Sequence, residues 1–176
     1  MSIFALILFA SLAITNTVKA KDVNKGTSKM NVVEIAIADQ RFSILVEAVS
    51  KAGLVDALSA EGPYTIFAPT NEAFEKLFKD LGVKGIQDLT AEQLTPILLY
   101  HVVKGKVMSA DVKSGMVNTL NENARMNIEV SSKGVTIDKT SRVIITDVEG
   151  TNGVIHAIDT VLMPETKATS SKSGCS

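Results

Sequence analysis

The stretch Gly62–Phe78, GPYTIFAPTNEAFEKLF, carries a turn, a strand and a helix start in quick succession. Gly62-Pro63 punctuates the chain as a turn. Tyr64–Phe67 is a short β-branched and aromatic run of the kind that forms a buried strand. Pro69 cannot donate to a sheet ladder and stops that strand. Thr70 or Asn71 can then accept a bond from the first free N–H groups of a helix, and Glu72 suits the positive end of its dipole. Phe74, Leu77, Phe78 and Leu81 follow at i, i+3, i+4 and i+7, which is one apolar face. Strand, sharp corner and amphipathic helix in this order join a sheet to its covering helices. Taken alone, the corner is a folding device rather than a site.

Upstream of it, Asn31 can cap a helix through Val32–Ala38, and Asp39 can cap the next, where Phe42, Leu45, Val46 and Val49 share a face. Gly53 is placed to end that helix, and Leu54, Val55 and Leu58 suggest one more short turn. Downstream, Gly82 ends the helix of the opening stretch. Thr90-Ala91-Glu92-Gln93 is a capping-box pattern. It opens a helix through Leu94, Ile97, Leu98 and Tyr100, in which Pro96 is expected to cause a bend or a second start. His101-Val102-Val103 then favours a strand.

Beyond this point the chain is β-rich. Met126, Ile128 and Val130 alternate with polar residues, Ser132-Lys133-Gly134 is a turn, and Val135 and Ile137 alternate again, which predicts a hairpin. Val143–Thr146 is a third run. Val154–Met163 is apolar on both faces, belongs in the centre of a sheet, and is ended by Pro164. Helices first and strands after, with one early strand at Tyr64, give an α+β domain whose helices pack on a twisted sheet or sheet pair.

The chain of 176 residues is long enough for one domain with a real core. Its net charge of −1 gives no reason to expect nucleic acid, which usually demands a basic face. Residues 1–20 read differently from the rest. Ile3–Ile14 is uncharged and mostly apolar, and Val18-Lys19-Ala20 places small residues at a cleavage site, the pattern of a secretory signal peptide. The apolar run is short for a membrane span, which needs about 20 residues, so no span is expected after cleavage. Residues 21–30 read as a flexible lead, 31–164 as the domain, and 165–176, rich in Ser, Thr and Lys, as a disordered tail. The single cysteine, Cys175, lies in that tail, so no internal disulfide is possible. No N-x-[ST] acceptor occurs.

Chemistry-bearing residues are sparse. The chain has two histidines, His101 and His156, without the ligand spacing of a zinc site. His156 lies in an apolar strand, GVIHAID, where a hydrogen-bonded core histidine is the default. His101 sits at a helix-to-strand change, where it is expected to bond backbone. Asp147 and Glu149 near His156 can be drawn as an acid–base set, but polar residues closing a strand turn are the stronger reading. No nucleophile elbow, P-loop or dinucleotide fingerprint is present. No catalytic centre, metal or cofactor is expected.

Three stretches together resemble the fasciclin domain. They are Tyr64–Phe74, YTIFAPTNEAF; Leu98–Val103, LLYHVV; and Asn152–Pro164, NGVIHAIDTVLMP. Tyr64, Phe67, Pro69, Thr70, Phe74, Tyr100, His101, Asn152, Gly153 and His156 carry the likeness, which spans about Met30–Pro164. The resemblance implies a seven-stranded β-wedge joined to a helical layer. It also implies a secreted or surface module for adhesion and partner binding. In some animal members an Asp-Ile pair before the closing block is linked to integrin recognition. Asp147-Val148 occupies that place here without the motif's neighbours, so integrin binding is not supported. Lys104 precedes Gly105 where many members have Pro. A single domain with a signal segment and a short tail is typical of bacterial members.

The expected function is therefore a secreted, extracellular or periplasmic adhesion module. It would bind protein, matrix or polysaccharide through loops around Asp147, Val148 and Asn71. The alternative is a small-ligand carrier with a pocket between sheet and helices. An enzyme would require an open cleft that sets His101 or His156 beside a carboxylate.

Overall fold

The structure, a computed structural model, describes residues 29–164. The expected signal segment, residues 21–28 of the lead, and the tail with Cys175 lie outside the described residues. The helices come first: α1 (Val32–Ala38), α2 (Ser43–Lys51) entered through a 3-10 turn at Gln40–Phe42, and α3 (Val55–Ser59). Strand β1 (Tyr64–Pro69) leads into α4 (Asn71–Leu81), and after a 3-10 turn at Ile86–Asp88 comes α5 (Ala91–Tyr100). The remaining strands are β2 (Val102–Lys104), β3 (Gly115–Asn118), β4 (Arg125–Ser131), β5 (Gly134–Ile137), β6 (Ser141–Gly150) and β7 (Gly153–Ile158). The protein is an α+β fold.

Local chemistry sets several of these boundaries. Asn31 and Glu34 form a reciprocal capping box on α1, and Thr90 and Gln93 form one on α5. Each cap is worth about 1 kcal/mol to its helix. Gly82 ends α4 in the left-handed region at φ 67°. Helix α5 runs unbroken past Pro96, so the proline does not mark a second start. The buried face of α4 is Ala73, Phe74, Leu77 and Phe78. Leu81 departs from expectation: as the last helical residue it lies past the packing contact and is 46% exposed.

Among the described residues the strands form one seven-stranded sheet in the order β2-β1-β7-β6-β5-β4-β3. β1 and β7 pair in parallel from Tyr64↔Gly153 to Pro69↔Ile158. The other pairings are antiparallel. β6 serves both halves of the sheet. Ser141 and Arg142 pair with β5, and Val143–Gly150 pair with β7 through two register shifts. The two edges then approach each other. Val103 bridges Thr119, and Leu120 N–H donates to Val102 O at 2.7 Å. The sheet is thereby nearly closed.

This closure produces two cores. One lies between the helices and the β2-β1-β7 side and includes Phe74, Leu94, Ile66, Ala68, Ile155 and Ala157. The other lies inside the curled sheet: Phe67, Tyr100, Val103, Met126, Ile128, Ile137, Ile158 and Leu162. Alternate residues of β1 feed opposite cores, as the period of two requires. β7 is buried along its whole length, which is why its sequence is apolar on both faces.

The expected run to Met163 is corrected. β7 ends at Ile158, and the chain bends at Asp159-Thr160. Val161 and Leu162 are buried from outside the strand. β3 was not expected from the sequence. Its four residues carry almost no buried surface to signal it.

Candidate functional site

The two histidines are built in opposite senses. His101 closes the C-terminus of α5 and is 2% exposed. Its Nδ1–H donates to Ile97 O at 2.7 Å, and its Nε2 accepts from Leu162 N–H at 2.9 Å. Burial pushes its pKa down to about 4, against the pull of the Ile97 carbonyl. His156 lies on β7, also 2% exposed, stacked on Phe67 with ring centroids 5.7 Å apart. Its Nε2–H donates to Val107 O at 2.9 Å, and its Nδ1 accepts from Asp147 N–H at 3.3 Å. Burial lowers its pKa as well, partly offset by the Val107 carbonyl and the Asp147 carboxylate. The partners fix one tautomer on each ring, and the two tautomers differ.

Asp147 occupies the bulged part of β6 at φ 60°, a region costly for most L-residues and more tolerable for Asp. Its Oδ1 accepts from Ser109 N–H at 2.7 Å, and Ser109 Oγ donates to Oδ2. Burial pushes the carboxyl up, but the Ser109 bonds, the His156 ring and the Thr146 hydroxyl together hold it below its ordinary value. The segment it binds, 105–109, is fastened at several further points. Thr65 Oγ1 donates to Gly105 O at 2.6 Å and accepts from Val107 N–H at 2.9 Å. Lys106 Nζ pairs with Glu149 Oε2 at 2.7 Å on the exposed side, a contact worth little in water. Asp147, His156 and Thr65 are thus clamps that seat one loop on β1, β6 and β7. The loop side of this set, Ser109 and Val107, was missed. A serine in a polar stretch and a backbone carbonyl leave no pattern in sequence.

The other expected contact residues are also committed inward. Val148, next to Asp147, is 5% exposed and packs in the helix-side core. It is not available to a partner, because neighbouring strand residues alternate faces. Asn71 does not cap its own helix. Its Oδ1 accepts from Ile44 N–H at 3.1 Å, and its Nδ2 donates to Gln40 O at 2.9 Å and Ser43 Oγ at 3.0 Å. It therefore caps the start of α2, whose own N-cap residue Phe42 offers no side-chain oxygen. Thr70 is the N-cap of α4 by position, yet its side chain makes no cap bond, and Oγ1 is buried without a partner among the described residues. Asn71 and Asp147 are held by different partners and are not gathered into one cluster.

The remaining hallmark residues are latches. Asn152 Oδ1 accepts from Val32 N–H at 2.9 Å, while Nδ2 donates to Leu58 O at 2.9 Å and Ala60 O at 3.0 Å. Tyr64 N–H donates to Asn152 O at 3.0 Å. Gly153 is required beside it: an added Cβ would lie 2.2 Å from Tyr64 O. Tyr100 Oη sits 2.8 Å from Asp138 Oδ2 and 3.0 Å from Arg125 O. Phe67 and Phe74 are core, and Pro69 is buried at the end of β1.

What faces outward lies elsewhere. Met116 on β3 is 62% exposed. It lines two open grooves of about 680 and 950 Å³. Glu122, Ala124 and Arg125 border both, Lys104 the first, and Lys139 and Met163 the second. Among the described residues no group of His, Cys, Asp or Glu is placed to hold a metal ion. No helix among them is long and apolar enough to cross a membrane.

The family model for the fasciclin domain matches residues 40–164. Protein sll1483 of Synechocystis sp. is 45% identical over 137 residues, covering 78% of this chain and 75% of that protein. Transforming growth factor-beta-induced protein ig-h3 of Sus scrofa is 42% identical over 135 residues, 76% of this chain but 19% of its own length. Among solved structures, a FAS1 domain pair from the insect cell adhesion molecule Fasciclin I matches with a TM-score of 0.65 at 21% identity. That match covers 78% of this chain and 52% of the pair, so this chain spans about half of it, and the likeness is one of fold.

Proposed function

The chain belongs to the fasciclin domain family, and from that premise we propose that it is an adhesion-type binding module without catalytic activity. It engages an extracellular protein, matrix component or polysaccharide through surface contacts. The reading extends to a secreted or periplasmic location, supported by the uncharged apolar run at Ile3–Ile14 followed by Val18-Lys19-Ala20.

One observation carries the proposal. The hallmark side chains are spent on internal bonds and packing, while Met116 stands exposed where two wide, mixed-polarity grooves meet. An apolar anchor rimmed by Lys104, Glu122, Arg125 and Lys139 has the anatomy of a contact surface, apolar at the centre and charged at the edge. Asp147 serves this surface indirectly, by fixing the 105–109 loop that follows β2. Buried rings with both nitrogens engaged support a non-catalytic role, since a general base must reach its proton.

The test is a pull-down from the chain's own extracellular milieu with wild type and Met116→Asp, partners being identified by mass spectrometry. The proposal expects a partner enriched by wild type and lost by the variant at unchanged thermal stability. Equal enrichment by both chains would remove Met116 from the surface. No partner for either would count against a binding module.

A further inference from the structure

A cavity of about 100 Å³ lies between α1, α2, α3, the C-terminal end of α5 and the β2-β1-β7 face. Its wall is mostly aliphatic, including Val33, Leu45, Val49, Leu98 and Ile155, with Phe67 the one phenyl ring. No Lys, Arg, Asp or Glu lines it. The polar side chains on its lining are Ser50, which is exposed, and His101, whose two ring nitrogens are taken by Ile97 O and Leu162 N–H. Toward solvent the lining continues onto Ile37, 61% exposed, and the half-buried Val46 and Val55. The cavity is therefore greasy from base to rim, with one hydroxyl at its outer edge.

We propose that this cavity is a binding site for an uncharged aliphatic group. A charged group entering it would lose its hydration with nothing to replace it. An apolar group exchanges water for dispersion contacts on every side. Size narrows the class. An apolar cavity of about 150 Å³ takes up a benzene-sized molecule, so this one holds an alkyl end of about four heavy atoms. Whole drug-sized ligands need roughly 300 Å³ or more. The polar remainder of the ligand stays outside, beside Ser50. The site is independent of the Met116 surface and does not rest on the adhesion reading.

The experiment is a titration of the isotope-labelled full chain with 1-hexanol, followed by methyl NMR, with hexylammonium as the charged control. Saturable shifts are expected at Val49, Ile66, Leu98 and Ile155, with a dissociation constant on the order of 0.1–1 mM. Hexylammonium should shift them at least tenfold more weakly. Ala36→Leu fills the cavity from its α1 wall and should abolish the shifts at an equal or higher melting temperature. Val46→Phe, which caps the rim, gives the same readout if Ala36→Leu fails to fold. Shifts that do not saturate by about 10 mM overturn the proposal. So do shifts unchanged in the folded variants, equal shifts with hexylammonium, or shifts centred on Met116.

Discussion

His101 shows what burial does to a titratable group that the fold needs in one form. Its Nε2 must keep a lone pair for Leu162 N–H, and a proton there would break that bond inside the core. With its pKa at about 4 in the folded chain, the unfolded chain binds protons more readily between that value and the ordinary histidine pKa of about 6.5. Stability should therefore be complete above about pH 7 and fall as pH drops toward 4, by roughly 3 kcal/mol for this residue. His156 is shifted in the same direction and adds to the loss. Asp147, held low, loses its contribution only in the more acid range below the ordinary carboxylate value. Urea unfolding as a function of pH checks this, and His101→Phe should flatten the upper part of the curve. Asp147 itself offers a reversal. At φ 60° alanine is strained and glycine is not, so Asp147→Gly should unfold at a higher temperature than Asp147→Ala, the difference being about 1 kcal/mol. The opposite order would mean that the bulge relaxes when its carboxylate is lost.

Elements join here through backbone approach as much as through side chains. The parallel β1–β7 pair brings Tyr64 O within 2.2 Å of where a Gly153 Cβ would stand, and the blocking atom is backbone. Gly153→Ala should push the strands apart and cost more than about 2 kcal/mol, read as a lowered urea midpoint. A neutral result would mean that the pair has slack the structure does not show. The helices were readable from sequence because their signals are local. Asn31, Thr90 and Gly82 each act within one turn of their own chain. Asn71 was misread for the complementary reason. It caps α2, whose first free N–H groups lie some 27 residues upstream, and no local pattern announces a cap supplied from another element. β3 was missed because exposed Met116 and half-exposed Val117 give no alternation to read.

For the whole molecule, the legible part was the class: helices followed by strands, and a doubly buried strand at Val154. Closure was not legible. It depends on a bulge in β6 and on the meeting of Val103 with Thr119, contacts between residues with no shared periodicity. The candidate site divides in the same way. Asp147 stands out by its place before the closing block, yet its Ser109 partner is 38 residues away. The outcome is a domain whose recognisable residues hold the interior, while Met116 and the apolar cavity beside Ile37 stand open to the outside. Long-range proton–nitrogen NMR of the two imidazoles, followed downward from about pH 8, where a histidine held below its ordinary value is neutral, tests that division most directly. Both rings should be neutral, with the proton on Nδ1 in His101 and on Nε2 in His156. A ring that titrates near its ordinary value, or two identical tautomers, would contradict it and restore His156 beside Asp147 as a working acid–base pair.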